Sequence, residues 1–401
     1  MPPCPKHDAL SPQAISEAIA WRKELHRYPE LGYHERRTAQ FVASQLESWG
    51  FDVHRGLAGT GVVGTLSRGT ARRSLGIRAD MDALPMQEAS GAPHSSERAG
   101  VMHACGHDGH VAMLLAAARA CSELAHLDGT VHFIFQPAEE IEGGARRMLE
   151  EGLLEMFACD VIYALHNWPA LPLGTIAVAD GPVLAAIAVF EIIVSGQGCH
   201  GALPHEGSDV ILAGCQLVSA LQSIVSRNID PRQAAIVSTT CFRAGDTWNV
   251  MPDQCVIRGT TRWFDPDVGN TMERRIREIS EAVVQGLGCQ VALRYDRRGP
   301  ATVNDPTCAR FVREVAAAAA VGLKIVELPP STGAEDFALM LEKVPGCYVL
   351  LGAAREDVNP ALHSPQFDFN DAALRRGAML WVAIVERTLT AAQGPKLPTH
   401  E

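Results

Sequence analysis

Four short segments concentrate side chains that can do chemistry. The densest is Met102-His103-Ala104-Cys105-Gly106-His107-Asp108-Gly109-His110, which holds three imidazoles and a thiol. Thiolate and imidazole are soft-to-borderline metal ligands, and Gly106 lets the backbone turn Cys105 and His107 toward one ion. His103 and His110 would orient such ligands from behind. A histidine-rich helix cap is the bland alternative. Arg78-Ala79-Asp80-Met81-Asp82 carries two carboxylates two residues apart, which either cap a turn or serve a polar site. Gln136-Pro137-Ala138-Glu139-Glu140 carries two adjacent carboxylates behind a proline that ends strand pairing. One of the two can bind a cation while its neighbour handles a proton, the division of labour that metal-assisted hydrolysis needs. Ala164-Leu165-His166-Asn167 adds a further imidazole, and Leu362-His363-Ser364-Pro365 offers a fifth ligand from a late loop.

The elements that must position these groups alternate between strand and helix. Short apolar runs predict strands at Gly61–Leu66, Leu75–Arg78, Val131–Phe135, Val161–Leu165 and Gly346–Gly352. Helices are predicted from Ser11 to Pro29, from Glu35 to Gly50, from His107 to about Leu124, and from near Asn370 onward. That alternation argues an α/β fold with a mixed, largely parallel sheet flanked by helices. Asp80, Glu139, Glu140 and His166 all fall at predicted carboxyl ends of strands, where open α/β sheets collect ligands. The pattern changes near Ala185. Strand Ala188–Val194, helix Ser208–Ser226, strands Ala235–Phe242 and Cys255–Trp263, helix Pro266–Gln285 and strand Gln290–Tyr295 follow. This β-α-β-β-α-β order predicts a ferredoxin-like α+β domain over residues 185–298, inserted between 1–184 and 299–401.

Bulk properties narrow the partners. A formal net charge of −11 argues against nucleic acid and anionic membranes. The N-terminal residues lack the pattern of a signal peptide, and no apolar run approaches a bilayer span. Eleven cysteines, without a CxxC pair, point to reduced thiols and a cytoplasmic protein.

Taken together the segments resemble the metal-dependent amidohydrolases that include hippurate hydrolase, N-acyl-amino-acid deacylases and plant auxin-conjugate hydrolases. His26-Arg27-Tyr28-Pro29-Glu30-Leu31, Asp80/Asp82, MHACGHDGH, QPAEE, LHN, GCHGALPH, NVMPD and LHSP occur in the family's order. The resemblance implies a zinc-peptidase-like catalytic domain with an inserted lid and dimerisation domain. It implies two divalent ions (Zn, Mn, Co or Ni) held by Cys105, His107, Glu140, His166 and His363. It implies Glu139 as the general base on a metal-bound hydroxide, Asp82 as support for a ligand, and His200 as the group that steadies the oxyanion. Asn249 and Arg258 look like contacts for a substrate carboxylate. The expected substrate is a small N-acyl amino acid such as hippurate or an N-acetyl amino acid, and the expected assembly a homodimer or homotetramer. Two departures from related peptidases stand out: Asp80 replaces a ligating His, and Cys105 stands where a carboxylate is more usual.

Other readings compete. Gly59-Thr60-Gly61-Val62-Val63-Gly64 fits a dinucleotide fingerprint, with Asp80 about 20 residues on. However, a β-like run follows the glycines instead of a helix. A thiol hydrolase would use Cys105 as nucleophile with His107 or His166 as base, and would survive chelation. A non-catalytic binding protein would be signalled by loss of Glu139 or a ligand, and none is missing. A structural zinc site would be closed with four ligands.

Overall fold

The computed structural model describes residues 10–140, 143–318, 321–356 and 358–390. The chain divides into two compact units, one of residues 1–183, 303–329 and 336–401, the other of 184–302 and 330–335. These limits differ slightly from the expected 185–298, and residues 330–335 return to the second unit after the insertion has closed. Their tie is a bridge between Leu184 and Ser331.

The first unit is built on an eight-stranded sheet. Its order is Asp52–Leu57, Gly61–Arg68, Gly129–Gln136, Ser74–Asp80, Val161–Trp168, Gly346–Gly352, Thr175–Ala177 and Lys324–Val326. The central strands, from Gly129–Gln136 to Gly346–Gly352, run parallel, and antiparallel pairs lie toward the edges. Val131, Phe133, Ile134 and Phe135 are all buried, as are Ile162 to Ala164 and Cys347 to Val349. Strands covered on both faces read as unbroken apolar runs, which is why they were legible. Helix His107–Ser122 lies inside this core with nearly every side chain buried, so it shows little amphipathic contrast.

Three strands run further than their apolar stretches. Asp80, Gln136 and His166 lie inside strand ends rather than beyond them. The strand Gly61–Arg68 has no helix after its glycines, so no helix N-terminus waits for a dinucleotide phosphate there.

The second unit is a four-stranded antiparallel sheet, ordered Ala235–Arg243, Gln254–Trp263, Ala186–Ser195 and Gln290–Gly299. Side chains of the Ala186–Ser195 strand alternate between buried and half-buried along most of its length, as for a sheet with one face covered. Helices Val210–Leu221 and Pro266–Gly286 supply that cover through Val210, Ala213 and Leu217, and Val268, Met272 and Ile276. Asp209 and Asp265 cap them by accepting from Leu212 N and Asp267 N. The segment Val210–Asn228 has the length and mean hydropathy (1.4) of a membrane span, yet only part of it is buried. Its Val210, Ala213, Leu217, Leu221 and Ile224 pack in the cluster that covers the sheet, while Ile211 and Leu212 are exposed.

Candidate metal centre

Backbone pairing gathers the chemistry-bearing segments of the first unit at the carboxyl end of its parallel strands. Asp80 lies opposite Gln136, and Leu350 opposite His166. The chain leaving Asp80 pairs twice more: Ala83 N donates to Glu30 O, and Leu84 and Met102 exchange amide bonds. The first contact explains why the His26–Leu31 segment belongs to the site. The second delivers Asp82 beside the Cys105 turn. Gly106 then adopts φ 90°, a left-handed conformation, and caps the helix that starts at His107. His363 joins by donating its own amide to Ala104 O, at 2.9 Å.

The side chains converge. Cys105 Sγ lies 3.2 Å from His166 Nε2. His107 Nε2 lies 4.0 Å from Glu140 Oε1, and Glu140 Oε1 lies 3.3 Å from His363 Nε2. Among the described residues, Cys105/His107/His166 and Cys105/Glu140/His363 each have their donor atoms within 4.8 Å of one another, so each could hold a cation. Cys105 belongs to both. Glu139 groups with His107 and Glu140 in the same way.

The donor atoms fit divalent cations. His107 Nδ1 donates to Asp82 O at 2.9 Å, and His166 Nδ1 donates to Asn167 O at 2.7 Å. Both bonds place the ring proton on Nδ1 and turn Nε2 into the cluster, where His166 Nε2 meets the Cys105 thiol. His107 Nε2 is buried without a hydrogen-bond partner, which a cation would supply. Burial, then the Glu140 charge, pushes the Cys105 thiol up to about 12. A thiolate there requires a compensating cation, and a thiol nucleophile would need the opposite shift. Burial, then the His110 charge, lowers the His166 imidazole, favouring the neutral form that binds metal.

Support residues surround the triads. Asp82 Oδ2 accepts the Glu140 amide at 2.9 Å. Asp80 is held by Arg78 at 2.8 Å and by His110 Nδ1 at 2.6 Å, and its donor atoms also group with those of His107 and His110. Its nearest oxygen is 3.7 Å from His107 Nε2. Arg78, fully buried, also donates to Gln136 and Asp336. Asp336 accepts from Ala145 N and ties this network to the start of helix Gly144–Glu150. Arg78 and Asp336 carried no signal of this role in the sequence beyond Arg78's place next to Asp80.

His103 is buried, but both ring nitrogens lack a hydrogen-bond partner.

In the second unit, His200 and Asn249 lie together. Strand Cys199–His200 pairs with Val250–Met251, and Gly201 N donates to Asn249 O at 2.9 Å. Arg258 sits on a different strand and is exposed, with Nε donating to Glu191 at 2.6 Å.

Residues 76–387 match peptidase family M20/M25/M40. An N-acetyl-L-cysteine deacetylase from Bacillus subtilis is 36% identical, over 95% of this chain and 90% of that protein. The hippurate hydrolase of Campylobacter jejuni is 37% identical, over 92% of this chain and 95% of its own. Among solved structures, a dinuclear metal binding M20 peptidase from Bacillus subtilis superposes with a TM-score of 0.82 at 35% identity, covering 94% of this chain and 99% of that one. The chain belongs to peptidase family M20/M25/M40, the metal-dependent amidohydrolases that its motifs resemble.

Proposed function

We propose that the protein hydrolyses the amide bond of small N-acyl amino acids with the help of divalent cations that Cys105 and its neighbouring imidazoles and carboxylates would hold. The observation that carries this reading is the sharing of Cys105 between the two triads, with Glu139 alongside. Cations held by Cys105, His107, His166, Glu140 and His363 would polarise the amide carbonyl and acidify a water. A thiolate-imidazole set favours zinc, cobalt or nickel over manganese.

The chain's own groups do the rest. Glu139, only 9% exposed, takes the proton of the attacking water and gives it to the leaving amine nitrogen. That transfer regenerates its carboxylate. Asp82 holds His107 and the Glu140 amide in register. His200 accepts the Ala202 amide on Nδ1 at 3.0 Å, so its neutral ring carries the proton on Nε2. That N–H is assigned to the developing oxyanion. Asn249 and Arg258 are assigned to the substrate carboxylate, a role suited to a guanidinium fork. The relatives' names, hippurate hydrolase and N-acetyl-L-cysteine deacetylase, support an acyl amino acid as substrate.

On this reading residues 1–184 and 299–401 form the catalytic domain, and the inserted unit serves as lid and dimerisation domain. It exposes Ile211 and Leu212 on helix Val210–Leu221, Phe242 on edge strand Ala235–Arg243, and Trp248 and Val250 in the segment that follows that strand. A second copy is the occupant that fits this patch. Ten described cysteines are all free thiols, which supports a reducing, cytoplasmic setting.

The test is hydrolysis of hippurate and a panel of N-acetyl amino acids before and after chelation. Loss of activity with recovery on adding one cation is the expected outcome. Hydrolysis that persists after complete chelation would refute it.

A further inference from the structure

We infer that Glu35 is a positioning residue for Glu139, fixing the turn that aims it. This rests on Glu139 being the general base. Glu35 immediately precedes helix Arg36–Ser48; its carbonyl accepts the Ala39 amide at 2.8 Å, but its side chain makes no cap bond. Its side chain turns away, and its carboxyl is completely buried. Oε1 accepts the Ala138 amide at 2.9 Å, and Oε2 accepts from Thr60 Oγ1 at 2.6 Å. The partners lie 103 and 25 residues away in the chain. A carboxyl is costly to bury unless its oxygens are hydrogen-bonded, and two of the bonds that satisfy this one come from distant segments.

Ala138 needs such a hold. Its φ is +57°, left-handed backbone that an L side chain rarely adopts. Residues in such conformations persist only where their surroundings over-determine them. The Ala138 carbonyl accepts from Gly144 N at 3.2 Å. Glu35 holds its amide. On the other side of Glu139, Asp82 holds the Glu140 amide at 2.9 Å. Glu139 is therefore the one residue between two backbone N–H groups, each pinned by a buried carboxyl from a distant segment. The Glu140 clamp serves a metal ligand as well. The Glu35 clamp reaches no metal ligand directly, and its influence on the site runs through Ala138. Burial raises the Glu35 pKa to about 7, outweighing the bond from Thr60. A neutral glutamine is consequently a close mimic, since its carbonyl can accept from Ala138 while its amide donates to Thr60.

The experiment compares Glu35→Ala, Glu35→Gln, Glu139→Gln and the double variant Glu35→Ala/Glu139→Gln in the full-length, metal-loaded enzyme. Metal content and steady-state hydrolysis are measured for each. Glu35→Ala should lower kcat about 10- to 100-fold, the scale of a slightly misplaced catalytic group, with KM and metal content unchanged. Glu35→Gln should restore kcat to within about threefold of wild type. In the Glu139→Gln background, Glu35→Ala should cost nothing further, because the group it positions is gone. Thr60→Val, which removes the donor that orients Glu35, replaces Glu35→Ala if that variant does not fold, and the same pattern is expected at smaller amplitude. Wild-type kcat in folded Glu35→Ala, an equal loss in both backgrounds, or a loss that tracks metal content would each overturn the inference. Near-normal turnover in Glu139→Gln alone would instead refute the assignment of the base.

Discussion

Cys105 Sγ and His166 Nε2 lie 3.2 Å apart although 61 residues separate them in the chain. The contact places one thiol against the end of the neighbouring parallel strand, and the same thiol faces Glu140 and His363. If Cys105 serves as a ligand to two cations, as proposed, the two positions would be interdependent. Cys105→Ala should therefore abolish binding at both positions, whereas His166→Ala and His363→Ala should each remove one. Metal analysis of the purified variants checks this. Retention of both cations by Cys105→Ala would rule out the shared ligand.

Gly106 carries the turn between two ligands. At φ 90° an added Cβ would clash with Asn167 Oδ1. Gly106→Ala should strain the backbone by about 1–2 kcal/mol and also push Asn167 away from His110. The expected outcome is weaker metal binding together with a lower Tm, read by metal titration and thermal melts. An unchanged metal affinity would show that the turn tolerates a side chain.

Beneath the ligands lies a buried ion-pair cluster. His26 Nδ1 donates to Asp108 at 2.8 Å, Nε2 lies 3.3 Å from Glu88, and Arg22 lies 3.6 Å from Asp108. Burial opposes the His26 charge, but Asp108, with help from Glu88, carries its pKa up to about 9. The folded value lies above the unfolded one, so the stabilisation is complete below pH ~6.5 and is lost as pH rises through the folded pKa. His26→Gln should lower Tm most at pH ~6.5, and the gap to wild type should narrow by pH ~9.5. Thermal melts across that range check it, and a gap independent of pH would count against the ion pair.

Trp248 is 98% exposed, next to a half-exposed Val250. If this face is covered by a second copy, Leu212→Arg or Trp248→Arg should yield monomers in sedimentation, with the fold intact by circular dichroism. Wild-type association in both variants would place the interface elsewhere.

The chemistry was legible wherever the fold packs it into a few consecutive residues. Segment 103–110 pointed to a candidate metal centre because soft ligands crowd together there, while the Glu139/Glu140 pair, weak by itself, gained meaning only beside it. The strand positions were legible because burial on both faces leaves unbroken apolar runs. Glu35, Arg78, Asp336 and Arg22 were not legible as site residues. Each acts through partners chosen by tertiary packing, such as Arg22 with Asp371, 349 residues away. A lone charged residue in the sequence gives no hint of a partner that distant. The Gly59–Gly64 fingerprint misled for a related reason: glycine spacing reports backbone freedom, and only the element that follows decides its use. Here that element is a strand.

The central claim is that Glu139 handles the proton in a metal-assisted amide hydrolysis. Turnover of an N-acyl amino acid by Glu139→Gln, with metal content verified as wild type, tests it most directly. The account predicts a fall in kcat of roughly 100-fold or more, the scale of general acid–base catalysis. Near-normal turnover with both cations bound would contradict it.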